Sequence, residues 1–450
     1  MSNINKAQVN GTNRTKSTIS FWVNKRVTAD QKVFQFKNGS AEYLLKFKSN
    51  DEIHLYSYNG SSYIGRIETN RVFRDTAAWY HFVIQVDTTD NTSSNRFRFY
   101  VNGDLQDNLK NETQPSQDAT FELSTSSHHL YIGSQSDGGD AFAGNLAHFH
   151  YTDGYSYAPT VFGETDSTSG VWVPKTAPSV TYGTNGFFLK FANSGNLDLD
   201  SSPNNLTFTT SGTLTQRQST PTNLYNALNF AASHDNATGI SLSNCNTSFN
   251  SGSSINYALA VPNMAFNKGK WYFETKIGHP CAAPYIGDTH EITERIRGST
   301  AVGTSDQEFA WEGNGYMKTN GGQSAYGSSA SASDIIGMYV DLDNNKLYIG
   351  INGAIQNSGT GYSITDPDSL TSGFYYVGGI SDQCGATANV TADMNYGDGF
   401  FGTTAVASAQ SDANGHGIFE YSPNDGGGSS FDGAAKNFYA MNTENMKEFG

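Results

Sequence analysis

The chain has 450 residues, with 27 Lys and Arg against 42 Asp and Glu and a formal net charge of −15 at pH 7. That balance argues against a nucleic-acid partner, because phosphate-backbone affinity rests on clustered cationic side chains. The length exceeds what one core usually supports, so two domains are expected, and 47 Gly, 25 Tyr and 28 Phe suit an all-β chain of short strands, tight turns and few helices.

From 17 to 157 the strand candidates are closely spaced: Thr18-Ile-Ser-Phe-Trp-Val23, Lys32-Val-Phe-Gln-Phe36, 41–47, 52–58, 79–101, His129-Leu-Tyr-Ile132 and 143–151. Gly, Asn, Asp or Ser bounds each one, which is the spacing of a sandwich or barrel. The clearest signal is 79–103. There Phe82, Ile84 and Val86 alternate with His81, Gln85 and Asp87, a polar turn covers 88–95, and Phe97, Phe99 and Val101 resume the pattern before Asn102-Gly103. Period two on both sides of a turn predicts a half-buried antiparallel hairpin.

Between Pro159 and Pro221 the residues are richer in Thr, Ser, Gly and Pro, and only Gly186-Phe-Phe-Leu-Lys-Phe191 and 206–210 read as strands. Trp172, Phe187, Phe188 and Phe191 are too apolar for a solvated tether, so this segment is expected to pack on the first sandwich. A second sandwich follows. In Lys270-Trp-Tyr-Phe-Glu-Thr-Lys-Ile277 the residues Trp271, Phe273, Thr275 and Ile277 share a face, and 335–342 pairs with 346–351 through Asp343-Asn344-Asn345. The expected architecture is two antiparallel β-sandwich jelly rolls, residues 1–164 and 221–450, joined by a packed, strand-poor connector at 165–220.

Cys245, Cys281 and Cys384 are odd in number and lack CxxC spacing, so buried free thiols are expected rather than a disulfide framework or a zinc site. No apolar run approaches the ~20 residues that cross a bilayer, and the amino terminus lacks the apolar core of a signal peptide. The chain is expected to be soluble when made in the cytoplasm, without membrane insertion. Asn-x-Ser/Thr triplets at Asn10, Asn38, Asn91 and Asn205 predict no glycan without a secretory signal.

Catalytic constellations are absent from the sequence. Glycan hydrolases on β-sandwiches place carboxylates on one strand face as Glu-x-Asp-x-Glu, and the nearest approaches here are Asp341-Leu-Asp343 and Glu308-Phe-Ala-Trp-Glu312. Both are expected to serve local structure or solvent. There is no Gly-x-Ser-x-Gly, no His-Glu-x-x-His and no phosphate-cradling loop. His148 and His150 could share a strand face but lack a third ligand, so they are not adopted as a metal site. Asp137-Gly-Gly-Asp140 supplies hard oxygen donors, making Asp137 and Asp140 weak calcium candidates beside their ordinary use in turns; no other cofactor is expected.

Thr18 to Val23, Trp79-Tyr-His, 96–103, Tyr131-Ile-Gly133 and Phe142-Ala-Gly-Asn-Leu-Ala-His-Phe149 ahead of Asp153-Gly154 resemble the concanavalin A-like, laminin G-type domain. Gly269-Lys-Trp-Tyr-Phe-Glu274, Val302-Gly-Thr304, Asp334-Ile-Ile-Gly337 and 341–353 resemble a SPRY (B30.2) sandwich, into which 281–297 inserts extra length. With Phe162-Gly-Glu-Thr-Asp-Ser-Thr-Ser-Gly-Val-Trp172 and Pro221-Thr-Asn-Leu-Tyr-Asn-Ala-Leu228 between them, the combination is similar to virion structural proteins of tailed phages, notably marine and cyanobacterial ones.

That resemblance implies a non-enzymatic protein on the virion surface, present in many copies or as a homo-oligomer. It would hold host surface glycans or other virion proteins, as a capsid or tail decoration, a tail-fibre part or an adhesin. A glucanase and a purely structural virion component are the competing readings. Aromatic rings stacking on sugars beside Asn and Asp are the expected chemistry. The candidate loops are 137–140 and 309–326, giving Asp137, Asp140, Trp311, Asn314 and Tyr316 as ligand-binding candidates, with core packing the competing role for Trp311.

Overall fold

The computed structural model describes residues 2–229, 240–252, 257–298, 300–384, 388–424, 431 and 437–450. The chain forms two units, Met1–Gln216 and Arg217–Gly450. Each is built from antiparallel sheets, in agreement with the all-β expectation, and the α-helices among the described residues are Thr289–Gly298, inside the inserted segment, and Thr443–Phe449.

In the first unit an eight-stranded sheet runs in the order Leu109–Thr113, Tyr63–Val72, Glu52–Tyr58, Ala41–Phe47, Gln31–Asn38, His129–Ile132, Asn3–Ala7, Thr209–Ser211. The facing six-stranded sheet runs Phe187–Leu189, Gly144–Asp153, Lys16–Lys25, Tyr80–Asp87, Phe97–Val101, Asp104–Leu105. Strand alternation sends Phe34, Phe36, Tyr43, Leu45 and Phe47 from one sheet against Phe21, Phe82, Ile84, Phe97 and Phe99 from the other, all buried in one core. The expected hairpin closes with Val86 opposite Phe97 and runs to Phe82 opposite Val101, and the next turn has Asn102 at φ 52° and Gly103 at φ 88°. Two consecutive left-handed residues are what a two-residue turn between twisted strands requires.

The outer face of the six-stranded sheet is covered around His81 and His150, while Gln85, Arg98 and Tyr100 stay partly exposed. His81 is fully buried, accepts the Trp172 indole N–H at Nδ1 (2.9 Å) and bonds Ser20 Oγ through Nε2 (2.8 Å), with Trp22 stacked on it at 4.8 Å. Trp172 fits because a Cβ at Gly163 would fall 2.6 Å from its ring. His150 stacks on Phe188 at 3.9 Å and bonds Tyr182 Oη through Nδ1 (3.0 Å). His148 sits in a β-bulge at φ 48°. Burial takes His81 down to about 3 and His150 well below the usual imidazole range, so both rings are neutral.

The second unit pairs a seven-stranded sheet centred on Tyr376–Asp382 and Ala282–Asp288 with a nine-stranded sheet centred on Lys270–Ile277 and Ile335–Asp341. Trp271, Phe273, Ile277, Ile336, Met338, Val340, Leu347 and Ile349 fill the core between them, on the faces that alternation assigned. Asp341 stands opposite Lys346 across the expected hairpin, accepts Asn344 N–H at 3.1 Å and pairs with Lys270 at 3.2 Å. One expectation is corrected: Cys281 and Cys384 are joined as a disulfide, with Cα atoms 5.5 Å apart, and half-buried Cys245 lies outside it. Strand register explains the pairing, since Ala282 opposite Asp382 brings together residues 103 positions apart in sequence.

Candidate functional site

The outer face of the eight-stranded sheet carries the richest open constellation of the first unit. Because Ile53, Leu55 and Ser57 point inward, His54, Tyr56 and Tyr58 must point outward, and the neighbouring strands add Tyr63, Arg66 and Glu68 on one side and Glu42, Leu44 and Lys46 on the other. Register aligns these side chains in rows across the strands. One row is Tyr131, Gln35, Leu44, Tyr56, Arg66; the next is Lys37, Glu42, Tyr58, Tyr63; a third is Lys46, His54, Glu68, Asn111. At about 4.8 Å per strand the first row spans about 19 Å, room for several saccharide rings.

The rings form one cluster. Tyr56 and Tyr63 lie 5.3 Å apart, Tyr58 and Tyr63 5.4 Å, His54 and Tyr56 4.6 Å, and the Arg66 guanidinium lies 5.0 Å from the Tyr63 centroid. Tyr63 is 39% exposed and Tyr56, Tyr58 and His54 are half-buried, while Leu44 beneath them is closed to solvent. Rings supported from below but open above present flat apolar faces in fixed positions, as stacking requires.

Hydrogen bonds hold the polar groups between the rings. Glu42 accepts from Tyr56 Oη (2.5 Å) and Gln35 Nε2 (2.6 Å), and Glu68 accepts from Arg66 (2.6 Å) and Asn111 (2.5 Å) beside His54 at 3.4 Å. Burial alone would push both carboxyls up. The bonds from Tyr56 and Gln35 outweigh it for Glu42, and those from Arg66 and Asn111 take Glu68 down to about 2, so both are ionised acceptors. Burial and Glu42 push the Tyr56 phenol up, keeping it a donor.

This network reaches one of the loops singled out in the sequence. Ser136 N–H donates to Gln35 Oε1 at 3.0 Å, so the Asp137–Asp140 turn is tied through Gln35 and Glu42 to Tyr56. Asp137 Oδ1 accepts Gly139 N–H at 2.8 Å, and Asp140 lies 3.8 Å from Lys32 Nζ, which donates to Gln135 at 2.6 Å. Asp137 thus shapes the turn and Asp140 faces a cation.

The second candidate loop is not a loop. Residues 309–326 lie in the strands Glu308–Glu312, Tyr316–Thr319 and Gly322–Ala325; Phe309, Trp311 and Met317 of the first two enter the core, and Gly322–Ala325 is an exposed edge strand. Trp311 is fully buried there and cannot stack on a ligand from outside. Asn314 accepts Tyr316 N–H at 3.1 Å and closes the turn, and Tyr316 is 40% exposed. Glu308, one of the acids weighed for catalysis, takes Arg295 Nε (2.7 Å) and the Gly303 and Thr304 N–H groups (2.7 and 2.8 Å), a structural clasp.

The tyrosine face was missed in the sequence although its signal was there: His54, Tyr56 and Tyr58 recur at every second position. It lies in the segment that a family model recognises. Residues 3–161 match the concanavalin A-like lectin/glucanase superfamily through its Laminin_G_3 model. No curated protein matches the chain. Among solved structures, a stonustoxin structure is similar at 12% identity over 38% of this chain, with a TM-score of 0.30, and the match spans only 27% of the stonustoxin chain. A heptameric SAP-like pentraxin from Limulus polyphemus is similar at 16% identity over 35% of this chain and 72% of its own (TM-score 0.27). The SPRY domain of human HERC1 is similar at 11% identity over 33% of this chain and 87% of its own (TM-score 0.25).

Proposed function

We propose that the chain is a non-enzymatic saccharide-binding protein of a tailed-phage particle, displayed in many copies on its surface and holding host glycans through the tyrosine face of the first unit. The observation that carries the binding reading is the row-aligned cluster of Tyr56, Tyr58 and Tyr63 with Arg66, Glu42 and Glu68 between the rings, on a concanavalin A-like sandwich. Rings take the apolar faces of sugars, ionised carboxylates accept hydroxyl protons, and Arg66 and Asn111 donate. Single contacts of this kind are weak; many copies on one particle make them durable through effective concentration.

The glucanase alternative needs one carboxyl held protonated as a general acid beside an ionised partner. Glu42 and Glu68 are both held below the usual carboxylate range, which favours holding over cleaving. The virion placement rests on the order of sequence motifs along the chain. Calcium is no part of this reading, because Lys32 already faces Asp140 and Asp137 is engaged in its own turn.

A glycan array probed with the 450-residue chain, multimerised on beads, tests the proposal. Binding to a defined saccharide class, lost in Tyr56→Ala/Tyr63→Ala and without release of reducing ends, is the expected result. Saccharide turnover, or binding unchanged by the double substitution, contradicts it.

A further inference from the structure

The second unit holds a side-chain cluster that the saccharide reading does not use. His279, Cys281 and Cys384 place a ring nitrogen and two sulfurs within 4.8 Å of one another, the single group of three such donors among the described residues. We propose that in the reduced chain these residues form a binding site for a thiophilic divalent cation of the zinc class, which the Cys281–Cys384 disulfide closes.

The donors are brought together by the backbone. Cys281 immediately precedes the Ala282–Asp288 strand and Cys384 follows the end of Tyr376–Asp382, its antiparallel neighbour. Cys281 N–H donates to His279 Nδ1 at 3.1 Å, folding the imidazole back over the turn that carries the first sulfur. Asp382 Oδ1 accepts Cys384 N–H at 2.8 Å, fixing the start of the segment that carries the second. Cys384 is exposed and the other two are half-buried, so both cation and reductant have access.

One nitrogen and two sulfurs suit zinc, with Zn–S about 2.3 Å, Zn–N about 2.0–2.1 Å and donors about 3.5–3.8 Å apart in a tetrahedron. With the cysteine Cα atoms 5.5 Å apart, side-chain rotation reaches that spacing without strand movement. Solvent would complete the fourth position. A dithiol or phosphine reductant cleaves the Sγ–Sγ bond with two electrons, giving two thiols. The cation then displaces both thiol protons to solvent, and His279 exchanges its bond from Cys281 N–H for the metal. Exchange with a low-molecular-weight disulfide returns both electrons to that oxidant and expels the cation.

The test uses the full chain reduced with a phosphine and titrated with Co2+, then Zn2+, without oxygen. One equivalent of Co2+ is expected to give sulfur-to-cobalt charge-transfer absorption and tetrahedral ligand-field bands, which Zn2+ abolishes. The oxidised chain should give neither. His279→Ala should weaken binding roughly tenfold or more, Cys384→Ser should remove the charge-transfer band, and Cys245→Ser should change nothing. No band in the reduced chain, or one that follows Cys245, overturns the proposal. Zn2+ should also raise the melting temperature of the reduced but not the oxidised wild type, and protect Cys281 and Cys384, not Cys245, from maleimide labelling. These wild-type readouts need no variant to fold, and failure of protection overturns the site equally.

Discussion

The two outer faces of the first unit begin alike and end differently. On the six-stranded sheet His81 and His150 point away from the core, as His54, Tyr56 and Tyr58 do on the eight-stranded sheet. The first pair is roofed by Trp172, Tyr182 and Phe188 and closed to water, whereas Tyr63 stands open with its ring edge-on to Tyr56 and tilted against Tyr58. Side-chain type does not decide which face stays open. What decides it is whether another part of the same chain supplies the rings that cover it.

The largest expected effect belongs to the covered face and to acid. His81 titrates near 6.5 when unfolded and about 3 when folded, so the unfolded chain takes up the proton first. Its contribution is intact above pH 6.5, falls as pH drops below that value and saturates near pH 3, a loss on the order of 5 kcal/mol. Denaturant melts of the wild type at stepped pH should show the decline beginning near 6, and His81→Gln should make it shallower, leaving the share that buried His150 contributes in the same sense. An unchanged slope in His81→Gln would place the acid sensitivity elsewhere.

Next comes the roof itself. Trp172→Ala removes a half-buried ring and leaves His81 Nδ1 without its donor, and should cost about 2–4 kcal/mol of stability. Saccharide affinity measured well below the melting range should stay at the wild-type value. A loss of affinity without a loss of stability would reverse the roles assigned to the two faces.

The open face should behave in the opposite sense. Tyr63→Ala should weaken saccharide binding about tenfold, by calorimetry or by competition on the array, while shifting stability by no more than about 0.5 kcal/mol, as an exposed substitution does. The smallest effect is expected at the acidic turn. Asp137→Ala should change affinity less than Tyr63→Ala, and added calcium should leave the melting temperature of the chain unmoved.

How much of this could be read from residue order follows from the same contrast. Period-two alternation gave the hairpins and the inward faces, because burying one side of a strand writes itself into every second residue, as at Phe82, Ile84 and Val86 or Trp271 and Phe273. It was silent on the roof, since Trp172 and His81 meet across 91 positions. It was silent too on the Cys281–Cys384 bond, which depends on register across 103. Tyrosine was uninformative by itself: Tyr43 and Tyr151 are core while Tyr63 is open. Trp311 attracted attention as a large ring near Asn and Gly, yet it alternates with Glu308 and Glu312 as a core residue of a strand. The readable clue to the open tyrosine face was the outward triplet His54, Tyr56, Tyr58, three amphipathic rings at positions where a solvated strand would carry small polar groups.

The most direct test is hydrogen–deuterium exchange of the full chain with and without a saccharide selected on the array. Protection confined to Glu52–Tyr58 and Tyr63–Val72, with lesser protection across the 134–140 turn, is the predicted pattern. Protection in the second unit alone, or on the Tyr80–Asp87 strand beneath Trp172, would contradict it.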